Sequence, residues 1–394
     1  MYKKQGMIPI ALNVIKKNII SKFGIVAAPK GPGKDCKEYL HIWPRDALFA
    51  IMELKNFDSK LAESVVKNML QLPTDNGLFY QRYKIDGKSD PMAWCNSDGH
   101  RQLDQDALRF VVISKFPNIK LNQKMLKESY HAFLMQIKNK FTSTDVWEQK
   151  RGYFFYSTAT LIWGLTCAEK VIPESKKQHE NILKELIESI DLFYDEELKS
   201  FVKSPSEKII DLEILLGLNV LFESGLELFN TKEKLLRVLS TLKVIEKELC
   251  VKIGKIEVPI RYKNDPWNGE YVGNNGNCRP WPMGVAIISQ TYSHVVNVAL
   301  KIGEYEIVVE ALKNANKWFE YIKDIPNINH FPEQIEYDGS LPKLVPKPLT
   351  WCASEIIKAE RLYLDILQRI QFYSTIDMLP NLYIIEPNFN LVLN

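Results

Sequence analysis

The stretch "DVWEQKRGYFFYSTA" (145–159) sets an aromatic and a carboxylate side by side just ahead of an apolar segment. A glutamate buried against an indole has its charged form disfavoured, so its pKa rises and it can still hold a proton near neutral pH. Glu148 is therefore a candidate proton donor. The same residues also read as a helix start, with Asp145 capping and Glu148 answering three positions on, although Gly152 would then sit in the first turn. A second carboxylate, Glu333 in "FPEQIEYDG" (331–339), follows a proline in another aromatic loop. Alone it reads as a solvated surface group. Together, two carboxyl groups across a sugar site are what hydrolysis of a glycosidic bond requires.

Other loops carry the same chemistry: "YLHIWPRDAL" (39–48), "MAWCNSDGHRQLDQDAL" (92–108), "IRYKNDPWNGEY" (260–271) and "RPW" (279–281). Six of the eight tryptophans, Trp43, Trp94, Trp147, Trp267, Trp281 and Trp351, fall in or beside these segments. Aromatic rings offer flat platforms to the CH faces of a sugar, and Arg, Asp, Gln and Asn pair with its hydroxyls. The pattern fits carbohydrate. In "WPRDAL", Pro44 and Asp46 suit the first turn of a helix; the same terminus also offers Arg45 and Asp46 as a fixed fork into a pocket. There is no GxSxG, no phosphate-cradling glycine loop and no metal-ligand spacing, so nucleophilic hydrolases, nucleotide enzymes and metalloenzymes have no residues to rest on.

These loops need a scaffold. Apolar periodicity near 3.6 predicts about twelve helices, near 7–23, 45–56, 58–72, 104–115, 121–140, 153–171, 174–193, 208–223, 231–249, 282–302, 304–323 and 350–370. Strand-like alternation is scarce apart from pieces such as "KIEVPIRY" (255–262). The segments at 153–167 and 283–298 are apolar or small on most faces, whereas 121–140 and 231–249 are amphipathic, which predicts an inner and an outer ring. The expected fold is all-α, a single (α/α)6 toroid or six-hairpin barrel over residues 1–370. Its long loops, 24–44, 73–103, 250–281 and 324–349, should crowd around one pocket. The tail 371–394, apolar with strand-like pieces, is expected to pack on that domain or on a partner subunit.

With 46% hydrophobic and 25% charged residues, the chain reads as soluble and globular. A net charge of +3 without a long basic run gives no reason to expect nucleic acid or a membrane as partner. The six cysteines are far apart and read as reduced thiols, and the N-terminus reads as an amphipathic helix rather than a signal peptide, so a cytoplasmic location is expected. A homo-oligomer is possible.

Taken together, these segments resemble the glucoamylases and relatives of glycoside hydrolase family 15, from about residue 20 to 370. "YLHIWPRDAL" is similar to the segment lining the subsite of the non-reducing-end glucose, which implies that role for Tyr39, Trp43, Arg45 and Asp46, with Arg45 and Asp46 on the outer hydroxyls. Trp94 joins this set as a substrate-binding candidate. The resemblance places the catalytic acid on Glu148, beside Trp147, and the catalytic base on Glu333, near Trp351. It makes Arg261 a sugar-hydroxyl ligand and Trp281 a pocket residue. Where relatives commonly carry a second glutamate after the acid, this chain has Gln149, which still hydrogen-bonds a sugar without the charge.

The implied reaction is inverting, exo-acting hydrolysis of α-glucans or oligosaccharides to β-glucose, without a cofactor, by carboxyl groups roughly 6.5–9.5 Å apart. Soluble oligosaccharides are expected to be better substrates than starch granules. The alternatives are a trehalase or an α-1,6-acting glucodextranase of the same family, or a non-catalytic glucan-binding regulatory domain.

Overall fold

The computed structural model describes residues 6–29, 39–90, 102–140, 142–267, 278–375, 382–385 and 390–393. Trp94, Cys36 and Cys95 lie outside the described residues. Within them are twelve α-helices: α1 (Ile8–Lys17), α2 (Pro44–Leu54), α3 (Ser59–Met69), α4 (Leu103–Lys115), α5 (Gln123–Lys140), α6 (Phe155–Val171), α7 (Lys176–Ser189), α8 (Glu213–Glu223), α9 (Lys232–Leu249), α10 (Pro282–Ile302), α11 (Tyr305–Asp324) and α12 (Thr350–Thr375). The even-numbered helices form a closed inner ring, in which α2 packs on α4, α4 on α6, α6 on α8, α8 on α10, α10 on α12, and α12 returns to α2. The odd-numbered helices lie against them from outside, as α3 on α2 or α11 on α10. This is the (α/α)6 toroid.

Residue type decides ring membership. In α2 every residue is buried, and α10 is buried from Pro282 to Val296. The outer α11 buries Ile307, Val308, Ala311, Leu312, Ala315, Trp318, Phe319 and Ile322, a stripe at helical spacing. Inner helices approach closely where a side chain is missing. A Cβ on Gly164 of α6 would lie 2.6 Å from the Cβ of Ala107 in α4, so the contact between these helices requires glycine there.

Five short antiparallel hairpins complete the described structure: β1 (Thr74–Asp75) with β2 (Leu78–Phe79), β3 (Ser143–Thr144) with β4 (Arg151–Gly152), β5 (Tyr194–Asp195) with β6 (Ser200–Phe201), β7 (Cys250–Ile253) with β8 (Ile256–Pro259), and β9 (Leu382–Ile385) with β10 (Asn390–Leu393). Three boundaries differ from the periodic reading. The helix expected to reach residue 23 stops at Lys17, because buried Asn18 turns its amide to Pro348 O (3.1 Å) and Thr350 Oγ1 (2.8 Å), tying the chain to the start of α12. The segment 208–212, expected to be helical, instead carries Lys208 at φ +51° and Asp211 in a bridge to Tyr262. The last helix runs to Thr375, so the expected break at 370 falls within it. Cys167, Cys250, Cys278 and Cys352 are free thiols. No helix among the described residues is long and apolar enough to cross a membrane.

Candidate active site

Residues just ahead of five inner helices come together: Trp43 before α2, Glu148 before α6, Ile210 before α8, Trp281 before α10 and Leu349 before α12. There they enclose a cavity of about 1310 Å³. Pro44 and Pro282 open α2 and α10 at positions where a missing N–H costs nothing, and the preceding residues, Trp43 and Trp281, line the cavity. No side chain caps either terminus, and Asp46 lies in the first turn of α2, where the helix dipole favours a carboxylate. Tyr39, Trp43, Arg45, Asp46, Trp147, Glu148, Gln149, Arg261, Trp281, Glu333 and Trp351 all line this one cavity.

Glu148 sits at the tip of the β3–β4 hairpin. The capping alternative does not occur, because α6 begins only at Phe155. Asp145 instead folds the tip: its N–H donates to Lys150 O (2.8 Å), its carbonyl accepts from Glu148 N (3.0 Å), and its Oδ1 accepts from Gln149 N (2.7 Å) and Lys150 N (3.1 Å). Glu148 is thereby held at φ +64°, a left-handed conformation costing roughly 1–3 kcal/mol for such a residue. Its Oε2 accepts from Gln81 Nε2 at 2.8 Å, and its Oε1 lies 3.8 Å from Arg45 Nη2. Burial pushes this carboxyl up to about 8; Arg45 opposes the shift, while Asp46 and Asp104 add to it.

Arg45 braces the same hairpin. Its guanidinium donates to Asp104 Oδ2 (2.6 Å), Gln102 Oε1 (2.7 Å) and Val146 O (2.7 Å), joining the starts of α2 and α4 to the acid loop. Three N–H groups are thus spent within the protein. Asp46 is buried beside it, and burial pushes its carboxyl up to about 7 against the pull of Arg45.

Glu333 comes from the other half of the chain. Its N–H donates to Pro346 O (3.1 Å), and Ile335 N donates to Pro280 O (3.0 Å), so the loop is pinned on both sides of the carboxylate. Tyr39 donates to Glu333 Oε1 (2.6 Å) and Trp267 Nε1 to Oε2 (3.2 Å). Burial raises this carboxyl above its ordinary range, while the Tyr39 bond, the Arg261 charge and the Trp267 bond pull it back toward the ionised form. Both carboxyls are raised chiefly by burial, and each has donors and an arginine that favour its charge. Glu333 takes hydrogen bonds from Tyr39 and Trp267 near Arg261, and Glu148 takes one from Gln81 near Arg45, with Asp46 and Asp104 adding to its shift.

The wall between them is aromatic. Trp147 lies 5.4 Å from Trp281 and 6.2 Å from Trp351, and the Arg261 guanidinium is 4.9 Å from the Trp147 ring and 4.8 Å from that of Trp281. Arg261 is fixed by a bidentate pair with Asp265, both contacts at 2.5 Å. Gln149 accepts a hydrogen bond from the Tyr262 hydroxyl, which leaves its amide N–H groups to donate. Past it, half-buried Ile209 and Ile210 extend the cavity wall. Sequence reading named Trp267 only among the clustered tryptophans and did not single out Tyr262, Gln81 or Asp265. Tyr262, Trp267 and Asp265 lay within the aromatic segment 260–271, whereas Gln81 carried no signal.

No protein-family model matches the chain. Its sequence is 25% identical over 346 residues to an uncharacterized glycosyl hydrolase of Methanocaldococcus jannaschii, an alignment covering 83% of this chain and 51% of that protein. The chain therefore spans about half the length of the curated relative it matches. Among solved structures, the glucoamylase of Saccharomycopsis fibuligera matches with a TM-score of 0.73 at 16% identity, covering 92% of this chain and 94% of that one. The glycoside hydrolase family 15 glucoamylase of Hypocrea jecorina also gives 0.73 at 16% identity, over 91% of this chain and 72% of that one. A bacterial glucoamylase complexed with acarbose gives 0.69 at 17% identity, over 90% of this chain and 55% of that one. At these identities the shared property is the fold.

Proposed function

We propose that this chain, which has the fold of the family 15 glucoamylases, is an exo-acting inverting α-glucosidase that releases β-glucose from the non-reducing ends of α-glucans or oligosaccharides. The observation that carries the reading is that Glu148 and Glu333, from opposite halves of the chain, are both buried on the wall of one cavity. Glu148 donates its proton to the glycosidic oxygen as the bond from that oxygen to the anomeric carbon breaks. Glu333 takes a proton from the water whose oxygen bonds that carbon from the far face. Tyr39, Trp43, Arg45 and Asp46 receive the terminal glucose, with Trp147, Trp281 and Trp351 as walls and Arg261 as a hydroxyl donor. Gln149 faces the leaving group. Names of relatives support the reading: one is a glycosyl hydrolase and several are glucoamylases.

Glucose release from maltose, isomaltose, trehalose and soluble starch tests activity and linkage together. NMR of fresh product tests the stereochemistry: β-glucose is expected first, and initial α-glucose would refute inversion. A protein that binds these sugars and cleaves none of them is a glucan-binding domain instead.

A further inference from the structure

A lysine is buried directly behind the acid hairpin. Lys203 Nζ lies 2.7 Å from Asp145 Oδ2, 3.1 Å from Asp211 Oδ2 and 3.3 Å from Glu213 Oε2, with all four side chains at most 4% exposed. Each of the first two carboxylates uses its other oxygen on the acid loop. Asp145 Oδ1 holds the N–H groups of Gln149 and Lys150, and Asp211 Oδ1 accepts from Trp147 Nε1 at 2.8 Å. The lysine backbone joins in, since its carbonyl accepts from Phe155 N at the start of α6 (2.9 Å). One ammonium group is thus one bond removed from the residue before Glu148 and from the turn that follows it.

We infer that Lys203 is a positioning residue for proton donation by Glu148, clamping Asp145 and Asp211 so that the hairpin tip keeps its left-handed turn and aims the carboxyl at the leaving group. The inference rests on the hydrolase reading above. A buried ion cluster is a poor way to gain stability, because desolvation offsets most of the attraction and well-packed apolar side chains do as well or better. Three carboxyl groups around one ammonium are more than it can neutralise: burial works against the lysine's charge while Asp211, Glu213 and Asp145 favour it, and burial raises the Asp211 and Glu213 carboxyls above their ordinary range. What the cluster supplies that an apolar plug would not is direction. Its bonds fix both neighbours of Glu148, which by its own φ preference would leave this conformation.

The test compares Lys203→Met with Asp145→Asn on whichever of maltose, isomaltose, trehalose and soluble starch the wild type cleaves best. The first variant removes a positive charge and the second a negative one, so a purely electrostatic influence on Glu148 acts in opposite senses in the two. A lost clamp slackens the same turn in both. The expected result is a kcat lowered by at least about tenfold in both variants with KM within about threefold, since misplacing a catalytic group costs rate and not uniform binding. Asp145→Asn keeps an oxygen for the N–H groups of Gln149 and Lys150, so it carries the test where Lys203→Met fails to fold. A folded Asp145→Asn with kcat within about threefold of wild type, or opposite changes of kcat in the two variants, overturns the clamp. A wild type inactive on all four sugars ends the hydrolase reading itself, and the clamp with it.

Discussion

The phenol of Tyr39 donates to Oε1 of Glu333 across 2.6 Å, which joins residues nearly three hundred positions apart at the mouth of the barrel. A hydrogen bond to a charged carboxylate is worth about 1.5–3 kcal/mol, more than a neutral one. Tyr39→Phe removes a bond that favours the ionised base, so the Glu333 pKa rises further. The acid limb of the kcat/KM profile should move to higher pH by about one unit or more, each unit being about 1.4 kcal/mol. An unmoved limb would separate Tyr39 from the base.

Wild-type activity should follow a bell displaced toward alkaline pH. The acid must keep its proton, and Glu148 is held at about 8, so rate is lost as pH rises past that value. The base must be ionised, and Glu333 is raised, so rate is lost on acidification at a pH above the about 4.3 of a free glutamate. A kcat/KM profile whose alkaline limb falls near pH 5 would remove Glu148 from the acid role.

Glu148→Gln keeps the shape of the side chain and its bond from Gln81 but has no proton to give. General acid catalysis contributes roughly 10²–10⁴-fold, so kcat should fall by that range while KM stays close to wild type. Substrates with an acidic leaving group, such as 4-nitrophenyl α-glucoside, need less protonation and should lose less. A kcat within about tenfold of wild type on maltose, only about 1.4 kcal/mol of barrier, would exclude Glu148.

How much of this was legible beforehand follows from what periodicity can carry. Twelve helices and two rings could be read because inner helices such as α10 are apolar or small on most faces, and outer ones such as α9 bury a single stripe that includes Leu235, Val238, Leu239, Leu242 and Ile245. The walls of the site were legible from aromatic residues clustered just ahead of inner helices. The supports were not. "SFVKSPSEKIIDLEI" (200–214) holds Lys203, Asp211 and Glu213 among exposed Lys and Glu of the same types, and no local pattern marks which of them a barrel will bury. Arg45 was legible as a pocket residue, yet its bonds to Gln102, Asp104 and Val146 depend on loops brought together only by ring closure.

Asp46 shows what such a pocket costs the fold. Its carboxyl is raised from the ordinary aspartate value of 3.8 to about 7 by burial, with Arg45 opposing and Glu333 adding. Between those values the unfolded chain gives up the proton while the folded one keeps it, so the stability this group contributes is complete below about pH 4 and is lost as pH rises toward 7, at about 1.4 kcal/mol per pH unit. Asn has the same shape and no charge to desolvate. Melting temperatures of Asp46→Asn and wild type should therefore diverge in favour of the variant as pH rises from about 4 to 7, and the gap should level off beyond, while activity falls if the carboxylate meets sugar hydroxyls. Arg45, Glu333 and Glu148 are present in both proteins, so their own titrations cancel to first order in the difference. A gap that stays constant across this range would mean that Asp46 ionises in the folded protein as it does in water.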